Sequence, residues 1–228
     1  MTTNFFMNRC WKWIVLAVTL GVTFGAFAYA GQLSAVETVA LNTEFYYLVS
    51  EDMQMEAGAE FVRLDGGAGY LLTEDNEEYV ALSVYLKEGD GTAVLNNLKN
   101  SGKSGKILGL KAHKLYLKTA KQKGLATLYR GAFENVYGCM QVLEGCVYRL
   151  EKGMTQESCK RLLNTLKNQF FYLEKQYQED FESCASVCKD AKVFLTEILE
   201  DTVYVKDLRY LACQLANDYV TLANEFSI

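Results

Sequence analysis

Hydrophobic and polar residues alternate in the stretch YVALSVYL, from Tyr79 to Leu86. Successive side chains of a β-strand point to opposite faces, so this alternation predicts a strand. One predicted face carries Val80, Leu82, Val84 and Leu86, and the other carries Tyr79, Ala81, Ser83 and Tyr85.

The same approach predicts five more elements before residue 118. Aromatic and β-branched content predicts strands at Phe45–Glu51, Gly69–Thr73 and Lys106–Leu117. Apolar residues at helical spacing predict short helices at Met55–Leu64 and Gly91–Lys99. The predicted order of elements is therefore β-α-β-β-α-β.

The glycine-rich stretch DGGAGYL, residues 65–71, lies between a predicted helix and a predicted strand. A dinucleotide-binding loop has the opposite order, because its glycines follow a strand and lead into a helix N-terminus. A P-loop would need Gly-Lys-Ser/Thr after its glycines, and that sequence is missing here. The stretch is therefore interpreted as a helix stop followed by strand entry.

An internal repeat at an offset of 34 residues relates the two halves of this region. Ala59 and Leu64 correspond to Ala93 and Leu98. Two strand–helix–strand halves predict a ferredoxin-like domain over residues 44–117, with four antiparallel strands and both helices on one face. The other face is predicted to be open, with Tyr47, Val49, Ala81, Ser83 and Tyr85 on it.

Residues 118–228 have apolar positions at spacings of three and four throughout. Leu125 to Leu150, Cys159 to Ile198 and Leu208 to Phe226 form three such series, with breaks near Gly153 and Asp201. Thr155 is a predicted helix N-cap. The pattern predicts an antiparallel three-helix bundle, and a coiled coil with a second chain is the alternative.

The N-terminus contains an uncharged apolar run from Trp13 to Gly31. As a helix it would be roughly 28 Å long, close to the thickness of a bilayer's hydrocarbon core. Arg9 and Lys12 precede the run, so residues 1–10 are predicted to be cytoplasmic, 11–31 a membrane anchor, and the remainder extracytoplasmic. The alternative is secretion after cleavage following Ala30, since Ala28-Tyr29-Ala30 fits the small-x-small rule.

Composition and the residues available for chemistry favour a binding protein that is not an enzyme. The chain has 228 residues, a net charge of −5 and one histidine, His113, in a lysine-rich predicted strand. The acidic run at Glu74, Asp75, Glu77 and Glu78 is interpreted as a solvated turn, not as a hydrolase pair. The net charge argues against a nucleic-acid partner, and no cofactor or metal is predicted.

The sequence leaves three interpretations open for the cysteines. Six of the seven cysteines follow residue 118, mostly on the apolar series, where a free thiol behaves as a small hydrophobe. Disulfides are the second interpretation, and a metal site is the third.

Eight lysines and Arg130 lie between Gly91 and Phe133, with no acidic residue among them. They form either a solvated surface or a region that attracts anionic wall polymers or lipid head groups.

The N-terminal anchor, FYYLVSED, GGAGYLL and EEYVALSVYLKEGDGTAVLNNLK together resemble a SPOR domain, over about residues 44–117. The resemblance implies a small bacterial βαββαβ module that binds peptidoglycan glycan strands, in cell division or sporulation, through its open sheet face. That face would carry Tyr47, Val49, Tyr70, Ser83 and Tyr85. Many members have glutamine where this chain has Val49, which departs from the pattern.

The resulting layout has a spacer at 32–43, a SPOR-like domain at 44–117 and a helical bundle at 118–228. A second hypothesis assigns the function to the bundle. In that case the C-terminal helices would self-associate or bind a protein partner as a scaffold, and the small α+β domain would not bind glycan.

Overall fold

The computed structural model of the chain describes residues 36–51 and 56–226. The predicted cytoplasmic tail at 1–10 and membrane anchor at 11–31 lie outside the described residues. Within the described ranges the fold is α+β, with a four-stranded antiparallel sheet and seven helices. None of those helices combines the length and apolar composition that a bilayer crossing requires.

The first half of the fold follows the predicted order of elements. Its members are β1 (Glu37–Val49), α1 (Glu56–Leu64), β2 (Tyr70–Glu74), β3 (Glu77–Tyr85), α2 (Glu88–Asn100) and β4 (Lys106–Leu117). The strands lie in the order β2-β3-β1-β4, and every neighbouring pair is antiparallel. Asp75 and Asn76 form the β2–β3 turn with φ of 52° and 64°, a conformation that Asp and Asn tolerate better than most residues.

The predicted spacer at 32–43 is wrong for its second part, because β1 begins at Glu37. Glu37–Ala40 pair with Lys114–Leu117 of β4, and pairing resumes at Thr43 opposite Ala112. Asn42 lies in the break between these two stretches with φ of 50°. This bulge interrupts the alternation of buried and exposed positions, which explains why the sequence pattern missed the start of the strand.

The second half contains more helices than the predicted three. They are α3 (Ala120–Gly124), α4 (Ala126–Glu151), α5 (Gln156–Tyr177), α6 (Glu182–Glu200) and α7 (Val205–Asn224). The predicted series from Cys159 to Ile198 spans both α5 and α6. Phe181 precedes α6 and is buried, so the apolar spacing continues across the turn between the two helices.

The break between α4 and α5 agrees with the prediction. Gly153 has φ of 90°, which favours glycine, and ends the first long helix. Thr155 is the N-cap of α5, and its hydroxyl accepts a hydrogen bond from the Ser158 amide at 3.3 Å.

The sheet and the C-terminal helices share a hydrophobic core. α7 contacts β2, β3 and β4, and α4 contacts β1. Phe45 of β1 lies edge-on to Tyr219 of α7, with ring centroids 5.1 Å apart. The Tyr116 amide of β4 donates a hydrogen bond to the Phe226 carbonyl at 2.9 Å. The boundary at 117/118 was predicted to separate two domains, but residues on both sides of it belong to one hydrophobic core.

Candidate functional site

The sheet face that was predicted to be open is covered by the helical bundle. Tyr47 and Val49 are fully buried, and the Tyr47 hydroxyl donates a hydrogen bond to the Cys213 carbonyl of α7 at 2.8 Å. Tyr70 is half-buried, with its ring 5.4 Å from that of Tyr210. The prediction of an open face is therefore wrong, because Tyr47 and Tyr70 contact α7 and Val49 lies in the shared core.

Ser83 and Tyr85 lie on the opposite face of the sheet from Tyr47 and Val49. Residues directly opposite each other in a strand pair share a face, and Leu48 pairs with Ser83 whereas Tyr47 pairs with Val84. The register then shifts, so Val49 pairs with Ala81. This bulge at Leu82 breaks the strict alternation from which one common face was predicted.

Two adjoining cavities lie on the Ser83 side of the sheet. Their volumes are about 330 Å³ and about 540 Å³. Ser83, Tyr85, Val94 and Arg209 line both of them. We call the two cavities together the cleft.

The first cavity lies over the sheet between α1 and α2. Leu48 and Leu82 of the sheet, Val62 of α1 and Leu98 of α2 give it an apolar lining. Asp65, which follows α1, forms an ion pair with Lys103, which follows α2, and both residues line the cavity. This exposed pair connects the ends of the two helices beside the cavity.

The second cavity lies between α2 and α4. Its lining includes Asp90 of α2 together with Gln141, Glu144, Tyr148 and Glu151 of α4. Tyr148 is 60% exposed, so its ring is available at the cleft. The cavity therefore combines an aromatic surface with several hydrogen-bonding groups.

The DGGAG loop holds one side of the cleft in place. The Gly67 amide donates to the Val62 carbonyl at 2.9 Å and the Gly66 amide to the Arg63 carbonyl at 3.3 Å, the bonding pattern of a Schellman C-cap. Gly66 has φ of 89°. The interpretation of this stretch as a helix stop and strand entry is confirmed.

Arg209 of α7 is the cation shared by the two cavities. Its Nη1 donates to the Gly66 carbonyl at 2.7 Å, and its Nη2 pairs with Glu151 Oε1 at 2.5 Å. Its Nε is buried and has no hydrogen-bond partner among the residues that the structure describes. The DGGAG loop and α4 thus fix the guanidinium from two sides.

Burial changes the acid–base behaviour of the cleft. Glu144 accepts a hydrogen bond from the Leu86 amide at 3.2 Å, yet partial burial raises the pKa of its carboxyl above the ordinary value. Burial also raises the pKa of Tyr85, while a hydrogen bond to Ser83 and the charge of Arg209 act in the opposite direction. Tyr85 therefore remains a neutral phenol at physiological pH.

Other residues considered from the sequence lie elsewhere. His113 is exposed on β4, and Glu77 and Glu78 are exposed at the start of β3. The six cysteines that the structure describes are buried free thiols. In the described part of the chain, no group of three His, Cys, Asp or Glu side chains is placed to hold a metal ion.

Sequence reasoning missed Arg209, Glu144 and Glu151 as site residues. Arg209 directly follows Leu208, the first residue of the third apolar series. The periodicity therefore identifies Arg209 only as a polar residue beside that series. Gly66 and Gly67 were a usable signal of a helix end, where backbone carbonyls lack helical partners and can accept a hydrogen bond from a side chain such as Arg209.

No protein-family model matches the chain, and comparisons with curated proteins and with solved structures likewise gave no match. The geometry of the cleft is therefore the basis of the functional argument.

Proposed function

We propose that this chain is a non-catalytic binding protein whose ligand occupies the cleft. The adjoining cavities carry this proposal, because each has the volume of a ligand site and both share Ser83, Tyr85, Val94 and Arg209. Ligand sites are usually concave, largely apolar and supplied with a few placed polar groups. The cleft has this composition.

The proposed location is the extracytoplasmic side of a membrane. The apolar run at 11–31 and the cations before it support an anchor with a cytoplasmic N-terminus. Release after Ala30 is the alternative form of the same proposal, and it would leave the cleft unchanged.

For the fold, we propose a ferredoxin-like α+β domain related to SPOR domains. The strand order β2-β3-β1-β4 and the antiparallel pairing support this assignment. The proposed ligand is accordingly a peptidoglycan glycan strand, but it would be bound in the cleft and not on the face that carries Tyr47 and Val49. Tyr148 and Tyr85 offer ring surfaces for sugars, as tyrosine does at mixed apolar and polar sites.

The test is retention of the full chain, in detergent, on purified peptidoglycan sacculi. Tyr148→Ala is expected to lower retention about tenfold, because it removes the exposed ring of the second cavity. Tyr204→Ala is the matched control, since Tyr204 is 55% exposed just before α7 and lies outside the cleft lining. Equal retention of the two variants would reject the cleft as the site.

The second candidate is self-association through the C-terminal helices. Phe171 and Tyr172 of α5 and Val193 of α6 are 43%, 69% and 44% exposed, and α5 packs against α6, so these apolar side chains form a candidate contact patch. Light scattering of the full chain and of Phe171→Glu tests this candidate. A monomer at all concentrations would reject it, whereas a dimer lost in Phe171→Glu would support it.

A further inference from the structure

A third cavity, of about 500 Å³, lies beside the N-terminal half of α4. It lies where β1 continues past the end of its neighbour β3, whose last residue, Tyr85, pairs with Tyr46. Thr43 and Glu44 line the cavity and pair with β4 only. A strand directs its N–H and C=O groups alternately to its two sides, so part of the β1 backbone here has no strand partner.

The lining of the third cavity mixes aromatic and charged side chains, as the cleft does. Tyr46 of β1 and Tyr137 of α4 supply half-buried rings, and Glu134 and Arg130 of α4 supply exposed charges. Arg130 is the last cation of the acid-free stretch that begins at Gly91, and it has no ion-pair partner in the described part of the chain. Its guanidinium is therefore available to a ligand carboxylate or amide oxygen.

One side of α4 borders both the third cavity and the second cavity of the cleft. The residues that alternate at spacings of four and three are Arg130, Glu134 and Tyr137 at the third cavity, and Gln141, Glu144 and Tyr148 at the second. This spacing keeps them on one face of the helix. Leu86, which lines the third cavity, donates its amide to Glu144 of the second at 3.2 Å. The third cavity therefore adjoins the cleft.

We propose that the third cavity continues the cleft, so that the ligand is a linear polymer that lies along α4 from Tyr148 to Arg130. This inference rests on the proposed function and adds a second binding region for the same strand. An α-helix rises about 1.5 Å per residue, so this face of α4 offers a groove about 27 Å long. A compact ligand would fill the cleft alone, whereas a glycan strand can extend from one cavity into the next.

Charges along the groove are locally balanced, which suits a strand that carries carboxylates among neutral amides and hydroxyls. Arg130 and Glu134 lie on adjacent turns of α4. The charge of Lys87 opposes the burial that raises the pKa of Glu144. Asp90 lies in the first turn of α2, where the positive end of the helix dipole offsets its charge. The carboxylates of the strand then have Arg130 as a partner.

The experiment compares two fragments of the peptidoglycan glycan strand by titration calorimetry on the full chain in detergent. Both alternate N-acetylglucosamine with N-acetylmuramic acid and lack stem peptides, and they are a tetrasaccharide and a dodecasaccharide. We expect the dodecasaccharide to bind at least about tenfold more tightly, because only this fragment can occupy the cleft and the third cavity together. A longer strand also offers more registers for binding, so substitutions at the third cavity decide where the extra affinity arises.

Tyr137→Ala should weaken binding of the dodecasaccharide about tenfold, with a smaller effect on the tetrasaccharide, because it removes the ring of the third cavity. The Tyr137 ring also lies 6.3 Å from that of Phe45, so a second variant is needed that does not disturb packing. Arg130→Ala removes an exposed side chain and should weaken dodecasaccharide binding about fivefold. Arg161→Ala is the control, since Arg161 pairs with Glu157 on α5 and lines none of the three cavities.

Three results would overturn the inference while leaving a ligand site in the cleft. They are equal affinity for the two fragments, an effect of Arg130→Ala no larger than that of Arg161→Ala, or an effect of Arg130→Ala that is equal for both fragments. Absence of any binding by the unsubstituted chain, together with equal sacculus retention of Tyr148→Ala and Tyr204→Ala, would reject the inference and the proposed function together.

Discussion

Phe45, Tyr47 and Val49 are completely buried on the side of the sheet that meets the bundle, whereas Ser83 and Tyr85 on the other side border the cleft. The bundle side is closed by long helices that contact all four strands. The other side is covered by two short helices with a cavity between them. The comparison shows that coverage by the rest of the chain, and not the composition of a strand, decides which face remains available to a ligand.

The largest expected difference between the two faces is the effect of removing a tyrosine. Tyr47→Ala should lower the free energy of unfolding by about 3–5 kcal/mol, because it leaves a cavity in the core and removes the bond to the Cys213 carbonyl. Tyr85→Ala should cost about 1–2 kcal/mol, since its side chain already borders open space. Urea denaturation of both variants measures the contrast. Equal losses would mean that the two faces are packed equally well.

Gly69 provides the next largest effect, on the cleft side. Its φ is 60°, and a Cβ atom there would lie 2.3 Å from the Ala59 carbonyl oxygen of α1. Gly69→Ala should therefore lower the free energy of unfolding by about 2–4 kcal/mol, through strain and overpacking together.

Gly102→Ala separates those two causes. Gly102 has φ of 80° with open space around it, so only the strain applies and about 1 kcal/mol is expected. If Gly69→Ala lowers the free energy of unfolding no more than Gly102→Ala does, α1 can move away from the loop. The helix that forms one wall of the first cavity would then be displaceable.

Much of this fold can be predicted from the sequence, because its signals are local. The bounds of β4, the glycine stop after α1 and the Thr155 cap all follow from short-range patterns. The turn between α5 and α6 could not be found in this way, since Phe181 continues the apolar spacing through it. The same limit applies to the bulge at Leu82, which moves Ser83 to the other face without any glycine or proline to mark it.

The candidate site depends on contacts between distant parts of the chain, which a sequence pattern does not specify. Arg209 reaches Gly66 and Glu151 only because α7 is packed against the sheet. Alternation predicts that one face of a strand is apolar and the other more polar, but it does not identify what covers each face. A face rich in tyrosine can be exposed to a ligand or covered by helices, because tyrosine can also lie in a core when its hydroxyl has a hydrogen-bond partner.

The third prediction concerns pH and the bundle side of the sheet. Burial, with a smaller contribution from Asp190, raises the pKa of Asp218 of α7 from 3.8 to about 6. Between these two values the folded chain binds more protons than the unfolded chain, so stability falls as pH rises. Because Asp218 is only partly buried, the expected loss between pH 4 and pH 7 is about 1–2 kcal/mol from this group.

Asp218→Asn should remove that pH dependence and stabilise the chain at pH 7. Urea midpoints of the unsubstituted chain and of the variant, measured from pH 4 to pH 8, provide the comparison. The partly buried Glu144 acts in the same direction, so Glu144→Gln is measured alongside to separate the two groups. A variant whose pH profile parallels that of the unsubstituted chain would contradict the assignment to Asp218.

The smallest expected effect is that of a reductant on the bundle, and it follows from how deeply the thiols are packed. Cys139 and Cys146 of α4 are fully buried, and burial raises the pKa values of their thiols to about 12 and about 11. Only the thiolate reacts quickly with thiol reagents or disulfides, so these groups should be inert at pH 7 in the folded chain. The melting temperature should be the same with and without reductant. Mass spectrometry after alkylation should find the six described cysteines unmodified in buffer and modified in urea. A melting temperature that falls on reduction would mean that a disulfide, and not apolar packing alone, stabilises the helices that cover the sheet.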